Sequence, residues 1–366
     1  MRLGVEAALV DGRLLPGDVE VQEGLVTRVG LAGGGSHGRG LAAPGLVDLQ
    51  VNGFAGVDLL TADREGYARA GEAMLAAGTT AFQPTFVTSP AKRLLAALQA
   101  MPADLGGPHV LGAHLEGPFL SPQRLGAHSA ADCRAPDLAL LRRLLGTARV
   151  AQVTLAPELP GALELVDELV ARGVTVSAGH TDATADEAEV AFDRGVRTVT
   201  HLHNAMRPGT PQDPGIAETA LARSDVVVQL VVDHHHVPPD AVRAAWRKAA
   251  GRLALVTDAV AAAGMGDGEF RLGSQTLVSE GGVVRGGTGR LAGSTLSMVQ
   301  AVRNLHGLGV PLEHALGAAS AVPARVAGRP DLGRLAPGDP ADLIVLDDRL
   351  EIQRVLVAGA PAPGLC

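Results

Sequence analysis

Aromatic side chains are scarce in this chain: six Phe, one Tyr and one Trp among 366 residues. Its core must therefore be built from Val, Leu and Ala, which suits the layered aliphatic interior of a β/α barrel. Cysteine is scarcer still. Cys133 and Cys366 are far apart in sequence, so neither a disulfide framework nor a Cys-based metal site is implied. No run approaches the roughly 18 uninterrupted apolar residues of a membrane helix. The N-terminal MRLGVEAALVDG lacks an apolar signal core followed by a small-residue cleavage site. The expectation is a soluble, cytoplasmic protein with no membrane partner. Basic charge is also in deficit: 31 Lys and Arg against 39 Asp and Glu leave a net charge of −8. That balance argues against a nucleic-acid partner held through its phosphates. The GGGSHGRG stretch starting at Gly33 lacks the lysine and helix opening of a phosphate loop and reads as a surface loop.

What the chain does contain is an alternation of buried-strand and helix signals. Eight apolar runs read as strands: LAAPGLVDLQV, TTAFQPTF, HVLGAHLE, VAQVTLAP, VTVSAGH, RTVTH, DVVVQLVVD and RLALVTD. They are continuous rather than alternating, as expected of strands covered on both faces. Between them lie helix-period stretches such as REGYARAGEAMLAAG, PAKRLLAALQA, LPGALELVDELVARG and TADEAEVAFDRG, several closed by Gly. Strand–helix alternation repeated eight times predicts a TIM-like (β/α)8 barrel over residues 43–334. Residues 1–42 read differently, as a small meander with turns at Asp11-Gly12 and Glu23-Gly24. The C-terminal ADLIVLDDRLEIQRVLVAG reads the same way. Neither end can form a core alone, so residues 1–42 and 335–366 are expected to join in one small β-sandwich. A Gly-rich insertion after Asp258, GMGDGEFRLGSQTLVSEGGVVRGG, reads as a hairpin.

Polar residues close most of these strand runs, and a barrel brings all such ends to one mouth. In order they are Gln50 and Asn52, Gln83 and Thr85, Glu116, Glu158, His180, His201 with His203, Asp233 through His236, and Asp258. Any one has an ordinary structural reading, such as a helix cap or a satisfied core histidine. Jointly they suit a metal centre. A catalytic Zn²⁺ or Fe²⁺ site takes about three nitrogen and oxygen ligands plus an open position, and Glu116, His180 and His201 meet that count. Asp258 is then the candidate general base, able to take a proton from water and return it to a leaving amine. His203, His234 and His235 also lie near the mouth and are read as outside the ligand set.

The runs HLEGPFLSPQRLGAHSA, SAGHTDA, THLHNAM, LVTDA and LAGSTLSM resemble the N-acetylglucosamine-6-phosphate deacetylase family of the amidohydrolase superfamily. The likeness extends from PGLVDLQVNGFAGVD to the closing GRLAPGDPADLIVLD. It implies a barrel with a sandwich built from both termini, a homodimer, and hydrolysis of N-acetylglucosamine 6-phosphate to glucosamine 6-phosphate and acetate in amino-sugar catabolism. It implies Glu116, His180 and His201 as metal ligands and Asp258 as the catalytic acid/base. Ala127 and His128, Asn204 and Ala205, His236, and Leu291, Ala292 and Gly293 match substrate-binding positions. Gln50 and Asn52 stand where the superfamily often carries a His-x-His pair, so one divalent metal per chain is expected. Zn²⁺ is the first choice, and Fe²⁺, Co²⁺ and Mn²⁺ are compatible with the same ligands.

One position departs from the family. Gln212, in RPGTPQDPG, stands where the family carries an Arg that binds the 6-phosphate. A neutral amide cannot make the bidentate, charge-assisted contact of a guanidinium. Arg207, Arg124 or a basic group of a partner subunit could substitute. Otherwise the substrate is an unphosphorylated or differently substituted N-acyl amino sugar.

Overall fold

The computed structural model describes residues 1–32 and 40–362. The loop reading of GGGSHGRG and the position of Cys366 lie outside those residues. Eight parallel strands of a nine-stranded sheet form the barrel: β1 (Leu46–Val51), β2 (Thr79–Val87), β3 (Ala113–Glu116), β4 (Val150–Leu155), β5 (Thr175–Ala178), β6 (Thr198–Val199), β7 (Val227–Leu230) and β8 (Leu253–Leu255); the ninth, His109–Val110, is a short strand beside β2. Each pairs in parallel with the next, from β1 with β2 through to β7 with β8. Ala259, just beyond β8, bridges back to Val51 and closes the ring. This is the (β/α)8 barrel, and its aliphatic residues share one continuous core with the surrounding helices.

The helices form where the periodic stretches predicted them. REGYARAGEAMLAAG gives Arg64–Ala76, capped by the Asp63 carboxylate accepting the Gly66 N–H. TADEAEVAFDRG gives Ala185–Arg194, whose Thr184 and Glu187 make a reciprocal capping box before Gly195 ends the helix.

Both chain ends contribute to a second, six-stranded sheet, with spatial order Arg13–Pro16, Ala7–Val10, Leu41–Pro44, Leu343–Leu346, Ile352–Val357 and Ala360–Pro361. A two-stranded ribbon, Asp18–Gln22 with Leu25–Leu31, accompanies it. Val5, Val19, Val26, Leu343 and Leu356 belong to one separate apolar cluster there.

Three strand readings need correction. LAAPGLVDLQV is two strands: Leu41–Pro44 lies in the six-stranded sheet and Leu46–Val51 in the barrel. Gly45 is the break, and a Cβ there would sit 2.1 Å from the Thr80 hydroxyl. HVLGAHLE also divides, at Gly112, whose φ is +102°. The insertion after Asp258 is a three-stranded antiparallel sheet, Gly268–Leu272, Gln275–Glu280 and Val283–Gly286, not a simple hairpin. An unbroken apolar run does not reveal where a chain leaves one sheet for another.

Candidate metal centre and its cavity

Glu116, His180 and His201 follow the logic of strand ends. Glu116 is the last residue of β3, while His180 and His201 lie two residues past β5 and β6. All three are buried. Glu116 Oε1 lies 3.1 Å from His180 Nε2 and 3.0 Å from His201 Nε2, and the two imidazole nitrogens are 3.0 Å apart. Three donor atoms of the right type thus converge on one point. The tautomer of His180 also fits a cation. Its Nδ1–H donates to the Arg124 carbonyl at 2.9 Å, which leaves the Nε2 lone pair facing Glu116 and His201. Two lone pairs and a carboxylate at this spacing repel unless a proton or a cation lies among them.

The backbone is strained to place these groups. His180, His201 and Asp258 have φ values of 49°, 32° and 50°, in the left-handed region that costs an ordinary residue roughly 1–2 kcal/mol. Such strain persists only where surrounding contacts fix it, and it clusters at functional sites. Gly179 supports it: a Cβ there would come within 2.8 Å of Thr154 and 3.0 Å of Thr200.

Asp258 faces the same point from the far side of the ring. Its Oδ1 accepts Asn52 Nδ2 at 2.7 Å and Gln50 Nε2 at 3.0 Å, and Gln50 also reaches Glu116 Oε1 at 3.2 Å. The two amides therefore turn N–H groups, not oxygens, towards the carboxylates. Their oxygens are buried and unpartnered. Burial and the Glu116 charge push Asp258 up to about 6. Burial alone would raise Glu116 as well, but hydrogen bonds from His180 and His201 hold its carboxyl well below the usual range. His128, 3.7 Å from Glu116 Oε2, is lowered to about 3 by burial and by the neighbouring His180.

A cavity of about 170 Å³ opens over this cluster. Ala127, His128, Asn204 and Ala205 line it, as do His236, Leu291, Ala292 and Gly293. Gly293 has no substitute there, because at φ +74° its Cβ would meet Val260 at 2.5 Å and the Asp258 carbonyl at 2.7 Å. Gln212 does not line the cavity. It is exposed on the 207–214 loop, which Arg207 pins outward through Asp213 at 2.8 Å. Nor are Arg207 and Arg124 free cations: both pair with Asp182, at 3.2 and 2.7 Å.

Some lining residues had no signal in the sequence. Leu272 and Gln275, at the turn of the first two strands of the three-stranded insertion, reach the cavity, and Gln275 Nε2 donates to the Ala127 carbonyl at 2.7 Å. Nothing in the order of residues says that this turn crosses to the mouth. Asp48 likewise has no signal in the sequence. It is buried under the site and accepts the Thr257 hydroxyl at 2.6 Å.

Residues 41–362 match the amidohydrolase family. The chain is 40% identical to the N-acetylglucosamine-6-phosphate deacetylase of Mus musculus, the match covering 87% of this chain and 82% of that one. It is 37% identical to the N-acetylgalactosamine-6-phosphate deacetylase of Escherichia coli O157:H7, covering 87% of each. Among solved structures, a mutant N-acetyl-D-glucosamine-6-phosphate deacetylase from Mycobacterium smegmatis, in complex with N-acetyl-D-glucosamine-6-phosphate, superposes with a TM-score of 0.92. That pair is 36% identical, with 98% of each chain covered.

Proposed function

Because the chain belongs to the amidohydrolase family, in its amino-sugar-phosphate deacetylase branch, we propose that it hydrolyses the N-acetyl group of N-acetylglucosamine 6-phosphate, giving glucosamine 6-phosphate and acetate. The observation that carries the reading is the convergence of Glu116, His180 and His201 opposite Asp258 in one buried cavity. In this account Glu116, His180 and His201 hold one divalent ion per chain, most simply Zn²⁺. Such an ion supplies Lewis acidity, lowering the pKa of water and polarising an acyl carbonyl. Asn52 and Gln50 occupy Asp258 Oδ1, so Oδ2 is the oxygen left to take a proton from water and return it to the departing amine. Asn204, Ala205, His128 and His236 hold the sugar, and Leu291, Ala292 and Gly293 close over it. Catalysis belongs to the barrel unit, residues 43–334, with 1–42 and 335–366 as its support. We place the protein in the cytoplasm as a homodimer. Among the described residues no helix is long and apolar enough to cross a membrane.

Gln212 favours a second reading, an amidohydrolase acting on an unphosphorylated or differently substituted N-acyl amino sugar. Acetate release from N-acetylglucosamine and N-acetylgalactosamine, each with and without the 6-phosphate, separates the two. A faster reaction with N-acetylglucosamine 6-phosphate supports the first, and indifference to phosphate supports the second. In a homodimer the exposed 207–214 loop is available to a partner's cavity. Gln212→Arg then sharpens the phosphate preference by about one to two decades through KM, the effect of one charge-assisted contact of roughly 1.5–3 kcal/mol.

A further inference from the structure

Beyond β7 the chain runs Asp233-His234-His235-His236, which sets a carboxylate against an imidazole at the cavity wall. His236 lines the cavity, and its Nδ1 lies 2.7 Å from Asp233 Oδ2. The other carboxylate oxygen, Oδ1, accepts the backbone N–H groups of His235 and His236, each at 2.9 Å. Only 6% of the His236 side chain and 10% of the Asp233 side chain are exposed. Burial alone would raise Asp233, but the hydrogen bond and charge of His236 hold its carboxyl below the usual range. An ionised carboxylate has no proton to give. Nδ1 therefore carries the hydrogen of the contact, and Nε2 is the ring nitrogen left to meet what enters the cavity.

We propose that Asp233 is a positioning residue, fixing the tautomer and ring angle of His236 so that Nε2 is presented to a polar group of the bound amino sugar. The proposal rests on the deacetylase reading of the cavity. Asp233 touches no reacting atom and acts only through His236. The geometry makes it intolerant of a neutral isostere. An asparagine has one acceptor oxygen where the carboxylate uses two. If that oxygen keeps the backbone N–H groups, its NH2 faces Nδ1, and the ring proton must move to Nε2. Nε2 then faces the cavity as a donor instead of an acceptor.

Asp233→Asn is expected to lower kcat/KM by roughly 10- to 100-fold, the usual effect of losing an outer hydrogen bond that orients a functional imidazole. Metal content should stay at the wild-type level. In a His236→Ala background the same substitution should cause no further loss, because its only route of action is gone. A purely structural role predicts losses that multiply in the double variant, and that result overturns the proposal. A second measurement needs neither substrate nor any substitution at Asp233. In ¹⁵N-histidine-labelled wild type, with the His236 resonances assigned by their absence in His236→Ala, Nδ1 should read as protonated. An unprotonated Nδ1 also overturns the proposal. If wild type fails to deacetylate amino-sugar phosphates, the substrate reading fails while the nitrogen shifts still decide the pair.

Discussion

Two parts of the molecule bury carboxylates in opposite ways. In the terminal sheet region, Asp18 Oδ1 accepts the backbone N–H groups of Gly4, Val5 and Val19 at 2.8–3.0 Å, and Oδ2 meets Arg2 at 3.0 Å. Asp342, just before the interior strand Leu343–Leu346 of the six-stranded sheet, accepts His109 and the Ala358 N–H at 2.8 and 2.6 Å. Each charge is consumed locally, and the described residues of the six-stranded sheet hold no unpartnered buried side-chain polar atom. At the barrel mouth Glu116 and Asp258 are just as buried, yet they face imidazoles, a second carboxylate and two amides with idle oxygens. His201 Nδ1 and His128 Nδ1 are idle as well. A satisfied buried carboxylate holds a fold together. A buried cluster of mutually repelling lone pairs, on strained backbone, has donor atoms placed where a cation could be held.

That contrast can be broken most forcefully at His201. His201→Ala removes a ligand rather than a proton carrier, so metal and activity should disappear together. Metal analysis of the purified variant, beside its acetate release, checks this; full metal content would show that His201 is not a ligand. Asp258→Asn should separate the two properties: metal retained, kcat lower by ~10²–10⁴-fold, the usual effect of a positioned acid/base. Near-wild-type kcat would transfer the proton to another group, with His236 the next candidate.

Asp18→Ala should do the reverse of both. It strands three backbone N–H groups and should lower unfolding stability by about 2–4 kcal/mol in a denaturant titration, with turnover per folded molecule within about twofold of wild type. A loss of kcat without a loss of stability would erase the distinction between the regions.

The smallest effect is expected at Asp48, beneath the mouth. Burial pushes its carboxyl from 3.8 up to about 7. Between those values the folded chain holds a proton that the unfolded chain has released. This contribution is therefore complete below about pH 4 and lost as pH rises through about 7. The difference in stability between wild type and Asp48→Asn should narrow or reverse in that direction across the window. A difference independent of pH would show that Asp48 is ionised in the folded protein throughout.

The barrel and its mouth are legible in the sequence because strand period, strand-end position and residue chemistry coincide. Glu116, His180, His201 and Asp258 each close an apolar run, and topology alone gathers them. The breaks at Gly45 and Gly112 leave no signal in the sequence because an apolar run carries no mark of sheet identity. Gln275 and Leu272 were invisible because their contact with the mouth depends on how an insertion folds back, not on any local period. Asp48 and Asp233 went unassigned for a related reason. A carboxylate's role is set by its partners, Thr257 for one and His236 for the other. Distant pairing of the first kind leaves no spacing to read. Gln212 shows the converse: aligned with a binding position, it lies in an exposed loop outside its own cavity.

The central claim is that the mouth is a single-metal centre, and anomalous diffraction at the metal's absorption edge, from crystals of the metal-loaded protein, tests it most directly. The account predicts one peak per chain, within ligand distance of Glu116, His180 and His201, with Gln50 and Asn52 still donating to carboxylates. Two peaks per chain with His or carboxylate ligands at both, or one peak held by other residues, would contradict it.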